Sequence, residues 1–251
     1  MRPDRRGVLV TRPEPGLGET LRDVASLGFD PVACPLLRVR RRPSRLPARR
    51  LLQAILLTSG QAVGPLAEAA DADPLLRRLP LFAVGEASAA RARAAGFGDT
   101  TSAGGNATDL AALVLARRPV GDGLLLATGE GQGVALAASL RRAGYRLHRR
   151  VVYAAEPVRR LPGAAQAALQ AGGVAACLFF SAEMARNFER LCPFAFHPLL
   201  GAIRALAISP AVAEALAGLP WGSVESAAHP DARALLSLLG RPAPPQPLGL
   251  P

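Results

Sequence analysis

The chain has 251 residues, half of them apolar, which is enough to bury the core of one large domain or of two domains of about 120 residues. Its 30 basic and 19 acidic residues give a net charge of +11, and every basic residue is arginine. The absence of lysine excludes a Schiff-base lysine, a pyridoxal anchor and the lysine of a phosphate-binding P-loop. The arginine excess suits bidentate binding of carboxylate or phosphate, so an anionic ligand and nucleic acid are both possible partners. The excess could also reflect only a G+C-rich coding bias, with the arginines serving as a solvated surface.

The first predicted unit is a strand, a polar loop, a helix and a second strand. VLVT at 8–11 is predicted as a buried parallel strand, RPEPG as the loop, and GETLRDVASLG as a helix that ends at Gly28. FDPVACPLL follows at once as one strand. The unit recurs with a strand at 54–59, the helix QAVGPLAEAA, a strand at 79–85 and the helix EASAARARAAG. Strands that alternate with helices predict an α/β fold with parallel sheets flanked by helices.

Two arginine-rich segments interrupt this alternation, RVRRRPSRLPARR at 38–50 and RLHRRVVYAAEPVRRLPG at 146–163. Each falls where a connection between domains is expected. If both are crossovers, the chain forms a first, discontinuous α/β lobe from 1–37 and 155–240. A second α/β lobe is then formed by 38–154, with connector segments at both ends. The Pro-rich residues 241–251 are predicted to be a disordered tail.

Parts of the chain nearly repeat themselves. AILLTSGQAVGPLAEAA returns 122 residues later as ACLFFSAEMARNFERL, and LFAVGEASAARARAAG returns as ALAISPAVAEALAG. TDLAALVL, at Asp109, is echoed by PDARALLSLL, at Asp231, and the segment around Thr11 is echoed by that around Thr128. Four echoes in one order predict two similar lobes with a ligand cleft between them.

Polar residues follow the predicted strands, where the next helix begins. Ligands of parallel sheets bind beyond the carboxyl ends of the strands, and the unpaired N–H groups of helix N-termini attract anions. Any one of these hydroxyls could instead be the N-cap of its own helix. The residues predicted to bind an anionic substrate are Thr11, Arg12, Thr58, Ser59, Gly85, Ser88, Thr128, Gly129, Ser181 and Ser209.

The cysteines and the ends of the chain indicate the compartment. Cys34, Cys177 and Cys192 are widely spaced among apolar neighbours, which predicts packing residues in a reducing environment and neither a disulfide framework nor a metal cluster. The first apolar run, VLV, is too short for a signal peptide, and no stretch reaches the length of a membrane span. These patterns predict a cytoplasmic protein.

Six short strings occur in order along residues 7–240: VLVTRPE, LLTS followed by AV, AVGEASA, VVYAAEP, LFFS and ISPAVAEAL. No single string is specific, but their order and spacing resemble the uroporphyrinogen-III synthase family. The resemblance implies two α/β lobes joined by a two-stranded connector, with the N-terminal segment completing the C-terminal lobe.

The resemblance also implies a reaction in tetrapyrrole synthesis. Hydroxymethylbilane, a linear chain of four pyrroles with eight carboxylates, loses its terminal hydroxyl as water and closes through a spiro intermediate that inverts the last ring. Holding such a chain folded requires many N–H and hydroxyl donors. It implies no metal or organic cofactor, and we expect a monomer that binds neither nucleic acid nor a membrane.

Several residues match positions of that family. Tyr153 lies at the family's connector tyrosine, whose phenol hydrogen-bonds the departing hydroxyl, although an aromatic residue there could also simply pack the connector. Further matches are the N-terminal pair Thr11 and Arg12 and the hydroxyls of Ser59, Ser88 and Ser181, with Ser88 in place of the more usual threonine.

One departure from the family pattern keeps a second hypothesis open. Where the family often reads IGPTTA, this chain reads ISPAVA, so Ala211 and Val212 replace two threonines. The chain could therefore be a catalytically degraded binding or regulatory relative that closes on an anionic ligand without turnover. Nucleic-acid binding, suggested by the charge, is disfavoured by the few aromatic residues and the lack of a reader motif.

Overall fold

The computed structural model describes residues 6–240, so the predicted tail at 241–251 lies outside the described residues. Strands and α-helices alternate along most of this part of the chain. The strands are β1 (Gly7–Val10), β2 (Asp30–Ala33), β3 (Leu37–Arg41), β4 (Leu52–Leu57), β5 (Leu81–Ala83), β6 (Thr100–Ser102), β7 (Gly123–Gly129), β8 (Leu147–Pro157), β9 (Val174–Phe179), β10 (Arg204–Ala207) and β11 (Ser223–Ser226). The helices are α1 (Leu17–Ser26), α2 (Val63–Ala72), α3 (Glu86–Ala94), α4 (Ala107–Arg117), α5 (Val134–Arg142), α6 (Gly163–Gln170), α7 (Ala182–Leu191), α8 (His197–Leu200), α9 (Pro210–Glu214) and α10 (Ala232–Ser237).

These elements form two compact units. The first unit contains the residues up to Arg38 and those from Glu156 onward, and the second is Val39–Ala155. The boundaries predicted from the sequence, after residues 37 and 154, lie one residue earlier in each case. Both boundaries fall within strands, β3 and β8, which are hydrogen-bonded neighbours in one sheet. The chain therefore passes between its units through two paired strands.

Each unit is built on its own sheet, and the two sheets have the same strand order. The first sheet runs β11-β10-β9-β1-β2 and the second β3-β8-β7-β4-β5-β6. Read from β6 to β8, the second sheet repeats the first, with β3 added at its edge. Pairing is parallel throughout the first sheet and from β8 to β6 in the second. The predicted α/β fold with two similar lobes is confirmed.

Helices cover both faces of these sheets, so the central strands are buried. All seven residues of β7 are buried, as a parallel strand between two helical layers requires. In β4, Ile55 and Leu57 join the core on one face, whereas Ala54 and Leu56 join the core on the other. The alternation follows the two-residue period of a strand. The ends of these buried strands are thereby held in fixed positions.

The local predictions hold for most elements and fail at one place. As predicted, helix α1 ends just before Gly28, which takes a φ of 87° that its lack of a side chain permits. FDPVACPLL was expected to be one strand, but β2 ends at Ala33 and β3 begins at Leu37. Pro35 lies between them and has no N–H for a ladder. The prediction of a single strand is therefore wrong.

The echo between Asp109 and Asp231 is displaced by three residues. Asn106 is the N-cap of α4, and its side chain and that of Asp109 form a reciprocal capping box. Asp231 is the N-cap of α10, where its carboxylate accepts from the Ala234 N–H at 2.8 Å. The equivalent residues are therefore Asn106 and Asp231. The N-cap is Asn in α4 and Asp in α10, so the sequence comparison paired Asp231 with Asp109 instead of with Asn106.

Candidate functional site

The second unit brings many of the predicted site residues together. Its strands β8, β7, β4 and β5 are neighbours in that order, and they run in parallel. Their carboxyl ends therefore meet at one edge of the sheet. The residues placed there are Tyr153 on β8, Thr128 and Gly129 on β7, Thr58 and Ser59 after β4, and Gly85 and Ser88 at the start of α3.

Tyr153 is paired with Gly129 of the neighbouring strand and is nearly sealed from solvent, with 2% of its surface exposed. Its phenol donates a hydrogen bond to the Gln132 Oε1 at 2.9 Å. Burial raises the pKa of the Tyr153 phenol above its ordinary value, and hydrogen bonds with Ser59 and Gln132 partly oppose this shift. The phenol is therefore a hydrogen-bond donor that keeps its proton at neutral pH.

Gly129 allows the Tyr153 ring to lie against β7. A methyl group on Gly129 would lie 2.7 Å from the Tyr153 Cζ and 2.9 Å from its hydroxyl, closer than ordinary contact. Only glycine fits here without moving the ring. Gly129, one of the predicted site residues, thus makes room for the tyrosine ring because it has no side chain.

The loop after β7 covers the tyrosine. The Glu130 N–H donates to the Tyr153 carbonyl at 2.9 Å, and the Gln132 N–H donates to the Gly129 carbonyl at 3.1 Å. Gly131 and Gly133 take positive φ values of 72° and 71°, which explains the glycine-rich sequence GEGQG. This ordered loop places the exposed side chain of Gln132 on the phenol. Sequence analysis identified Thr128 and Gly129, just before this loop, but missed Gln132.

The hydroxyls of Thr58 and Thr128 pair with each other at 3.2 Å between neighbouring strands. Thr128 has no exposed surface. Thr11, its counterpart in the first unit, is also fully buried and donates to the Leu178 carbonyl at 2.6 Å. In this structure the hydroxyls of Thr11 and Thr128 each form a hydrogen bond to the neighbouring strand or its end. A direct contact of either with a ligand stays a prediction, and it requires these strand ends to open.

An arginine that sequence analysis missed lies beside Ser88. A methyl group on Gly60 would lie 3.0 Å from the Arg91 Nη1 and 3.6 Å from the Ser88 Oγ. Gly60 is itself buried just after Ser59, so its missing side chain makes room for the guanidinium. Arg91 follows Ser88 by one turn of α3, and this spacing is the sequence signal that could have identified it. A cation is thus placed close to the strand-end hydroxyls of this unit.

The first unit repeats this arrangement with fewer polar groups. Its neighbouring parallel strands β10, β9 and β1 end next to Ser209, Ser181 and the pair Thr11 and Arg12. The Arg12 guanidinium lies 4.6 Å from the centre of the Phe180 ring and donates to the Thr20 Oγ1 at 3.3 Å. Gly16 leaves the space that this guanidinium occupies. Arg12 is thereby held at the strand ends.

The three predicted serines that follow strands occupy N-cap positions. Ser59 accepts from the Gln61 N–H and Ser181 from the Met184 N–H, each at 3.3 Å. The N-cap interpretation holds for both of these residues, and their hydroxyl protons can still be donated. Ser209 precedes α9 without a cap bond from its side chain. Gly85 precedes α3 in the same way, and its surroundings are open.

The thiols are packing groups. All three are buried, and burial raises the pKa of Cys34 to about 12 and that of Cys192 to about 11. They therefore stay protonated and weakly nucleophilic. Among residues 6–240 no cluster of His, Cys, Asp and Glu could hold a metal ion. Within the same range, no helix combines the length and apolar character needed to cross a membrane.

Comparison with known proteins identifies the family. The sequence model of the family described as uroporphyrinogen-III synthase HemD matches residues 19–237. The chain belongs to this family. Its members are enzymes of tetrapyrrole synthesis that act on a small molecule. A search of curated proteins gave no match.

Solved structures of uroporphyrinogen-III synthases share the fold. The uroporphyrinogen-III synthetase of Helicobacter pylori is 19% identical with a TM-score of 0.62, and the alignment covers 93% of this chain and 98% of that one. A mutant uroporphyrinogen III synthase of Thermus thermophilus is 24% identical with a TM-score of 0.51, with coverage of 93% and 95%. The two-lobe α/β architecture expected from the resemblance is confirmed.

The departure from the uroporphyrinogen-III synthase pattern lies at the start of α9. Val212, in place of a threonine, is buried, whereas Ala211 is exposed. The Ser209 carbonyl accepts from the N–H groups of Val212 and Ala213 at 3.0 and 3.1 Å. Because position 212 is buried, a hydroxyl there would need a hydrogen-bond partner inside the protein. Only the change at Ala211 therefore removes an exposed hydroxyl.

Proposed function

We propose that the chain is a uroporphyrinogen-III synthase, a hydro-lyase that cyclises hydroxymethylbilane with loss of water and inversion of the last pyrrole ring. The observation that carries the proposal is the Tyr153 phenol, protonated and held in place at the meeting point of parallel strand ends. Membership of the family supports the same reaction. Cytoplasmic location, which the sequence patterns support, and a monomeric state, which is only an expectation, belong to the proposal.

In the proposed first step Tyr153 assists the departure of the hydroxyl. The C–O bond of the hydroxymethyl group breaks while the pyrrole nitrogen supplies its electron pair and gives up its N–H proton. The oxygen gains one proton and leaves as water, so the proton count balances and an azafulvene remains. The phenol donates a hydrogen bond to that oxygen, in the place now taken by the Gln132 Oε1 at 2.9 Å. Substrate binding therefore requires the Gln132 side chain to move aside. The raised pKa keeps the phenol in its donating form.

The substrate carboxylates are proposed to bind to many weak donors. Helix N-termini follow β4, β5, β9 and β10, and each offers N–H groups to an anion. Arg12 and Arg91 add positive charge at the strand ends of the first and second units. Because these contacts are distributed, removal of one hydroxyl should cost little. Such donors hold a flexible chain in the orientation that favours closure with inversion.

The proposal is tested by the isomer that forms from freshly prepared hydroxymethylbilane. With the wild-type chain, the oxidised product should be mainly the III isomer, whereas buffer alone gives the uninverted isomer. Separation of the oxidised isomers by chromatography measures the ratio. If the chain binds hydroxymethylbilane yet leaves the ratio at the buffer value, it is a binding relative without turnover and the proposal fails.

A further inference from the structure

A wide, open surface cavity of the first unit is lined mainly by polar and basic side chains. Its volume is about 430 Å³, within the range of small-molecule sites. Three of its side chains are positively charged and one is negatively charged. The lining residues are Pro157, Arg159, Glu183, Arg186, Asn187 and Arg190.

One of these arginines is held in place by a buried amide. The Arg190 Nη2 donates to the Asn187 Oδ1 at 2.6 Å. Asn187 is only 4% exposed, and its Nδ2 donates to the Leu36 carbonyl at 2.5 Å. The same carbonyl accepts from the Val158 N–H at 3.0 Å, which ties the end of β8 to this point. A ligand that binds Arg190 therefore does not need to order its side chain.

The other two arginines have no bonded partner in the part of the chain that the structure describes. Arg186 and Arg159 are exposed, and neither has a hydrogen bond or ion pair with another residue in the range 6–240. Arg186 is one turn before Arg190 on α7, so their side chains share one face of the helix. Elsewhere in this unit, Arg204 is used internally, with two bonds of 2.8 Å to Glu225. The donors of the cavity are thus open to a ligand.

We propose that this cavity binds a small polyanion, a molecule with two or more carboxylate or phosphate groups. One anionic group fits between Arg186 and Arg190, which present planar donors to its oxygens. A second group lies near Arg159. Glu183, one turn before Arg186, disfavours a further charge and accepts a hydrogen bond from a hydroxyl or N–H of the ligand. The site uses none of the residues assigned to the reaction, so it goes beyond the proposed function.

Titration calorimetry on the full chain at fixed ionic strength tests the site. The probes are citrate, with three carboxylates, inorganic pyrophosphate, and acetate, with one carboxylate. We expect saturable binding of citrate or pyrophosphate with one site per chain, and acetate at least about tenfold weaker. The preferred probe tells whether carboxylate or phosphate is the natural group.

Variants that each remove one arginine charge show where the probe binds. Arg186→Gln and Arg190→Gln should each weaken the preferred probe at least about tenfold, because each removes charge-assisted hydrogen bonds. The control Arg233→Gln removes an exposed arginine of the same unit that does not line the cavity, and should change the affinity less than about twofold. If Arg190→Gln does not fold, Arg159→Gln takes its place, since the side chain of Arg159 has no bond within residues 6–240.

Two results would overturn the site. One is the absence of saturable binding for both polyanions, and the other is an equal loss of affinity in Arg233→Gln and the cavity variants. The measurement needs no turnover, so its failure would leave the proposed cyclisation standing, and failure of the isomer test would leave the site standing.

Discussion

Replacement of Gly129 by alanine should displace the Tyr153 phenol, which we propose assists the departure of the hydroxyl, while changing no polar group. The new methyl carbon would lie 2.7 Å from the Tyr153 Cζ, so the ring must retreat by about 0.7 Å to reach an ordinary contact of 3.4 Å. Overpacking of a buried site costs about 1–3 kcal/mol of unfolding free energy. A displacement of this size at a reacting centre lowers kcat by about 10- to 100-fold.

Urea unfolding and initial rates with hydroxymethylbilane measure the two effects. Gly98→Ala is the matched control, because a methyl group there meets no atom within 4 Å and the residue belongs to the same unit. The decisive variant is Gly129→Ala combined with Tyr153→Phe. If the loss arises from the displaced hydroxyl, Gly129→Ala should lower kcat by less than about twofold in the Phe background. A full, additive loss there would refute the reasoning, since the methyl group would then act on something other than the phenol.

Three further predictions follow from single contacts. Thr128→Val leaves the Thr58 hydroxyl without its partner, and should lower the free energy of unfolding in urea by about 1–3 kcal/mol. Because burial raises the pKa of Tyr153, kcat should hold past the pH at which an ordinary tyrosine loses its proton and decline only at higher pH, and Tyr153→Phe should remove this alkaline decline from the pH–rate profile. The pKa of Glu225 is lowered by its hydrogen bonds from Arg204, so the pair stabilises the fold above the ordinary pKa of a glutamate and loses this effect as the pH falls through the lowered value. Since both side chains are about one-third exposed, Glu225→Gln should cost at most about 1 kcal/mol in a thermal or urea melt at pH 7, and nothing in acid below the lowered pKa.

The repeating strands and helices could be predicted because their signals are local. β4 ends in four consecutive apolar residues, and the helix at α3 is followed by Gly96, whose φ of 89° marks its end. The order of weak strings was enough to predict the family. The division of FDPVACPLL into two strands was missed because an apolar run does not show where one ladder ends and another begins.

The candidate site could be predicted only in outline. Polar residues after strands point to the correct edge of each sheet, but the sequence does not show which of them are buried. Thr11 and Thr128 look like ligand-binding residues, yet each is fully buried and bonded to the neighbouring strand. The contacts of Gln132 with Tyr153 and of Arg91 with Gly60 join residues distant in sequence. Such contacts depend on how loops fold over the sheet, which local patterns do not encode.

The role of Tyr153 is tested most directly by comparing Tyr153→Phe with Ser88→Ala. Both variants remove one hydroxyl from the same edge of the second sheet, and initial rates of hydroxymethylbilane consumption, corrected for spontaneous closure, give kcat for each. In the proposed mechanism the phenol contacts the leaving group, whereas Ser88 is one of many donors to the carboxylates. We predict a loss of about 10²-fold or more for Tyr153→Phe, in the range of general acid catalysis, and less than about tenfold for Ser88→Ala. An equal or smaller loss for Tyr153→Phe would contradict the assignment of the phenol to the leaving group.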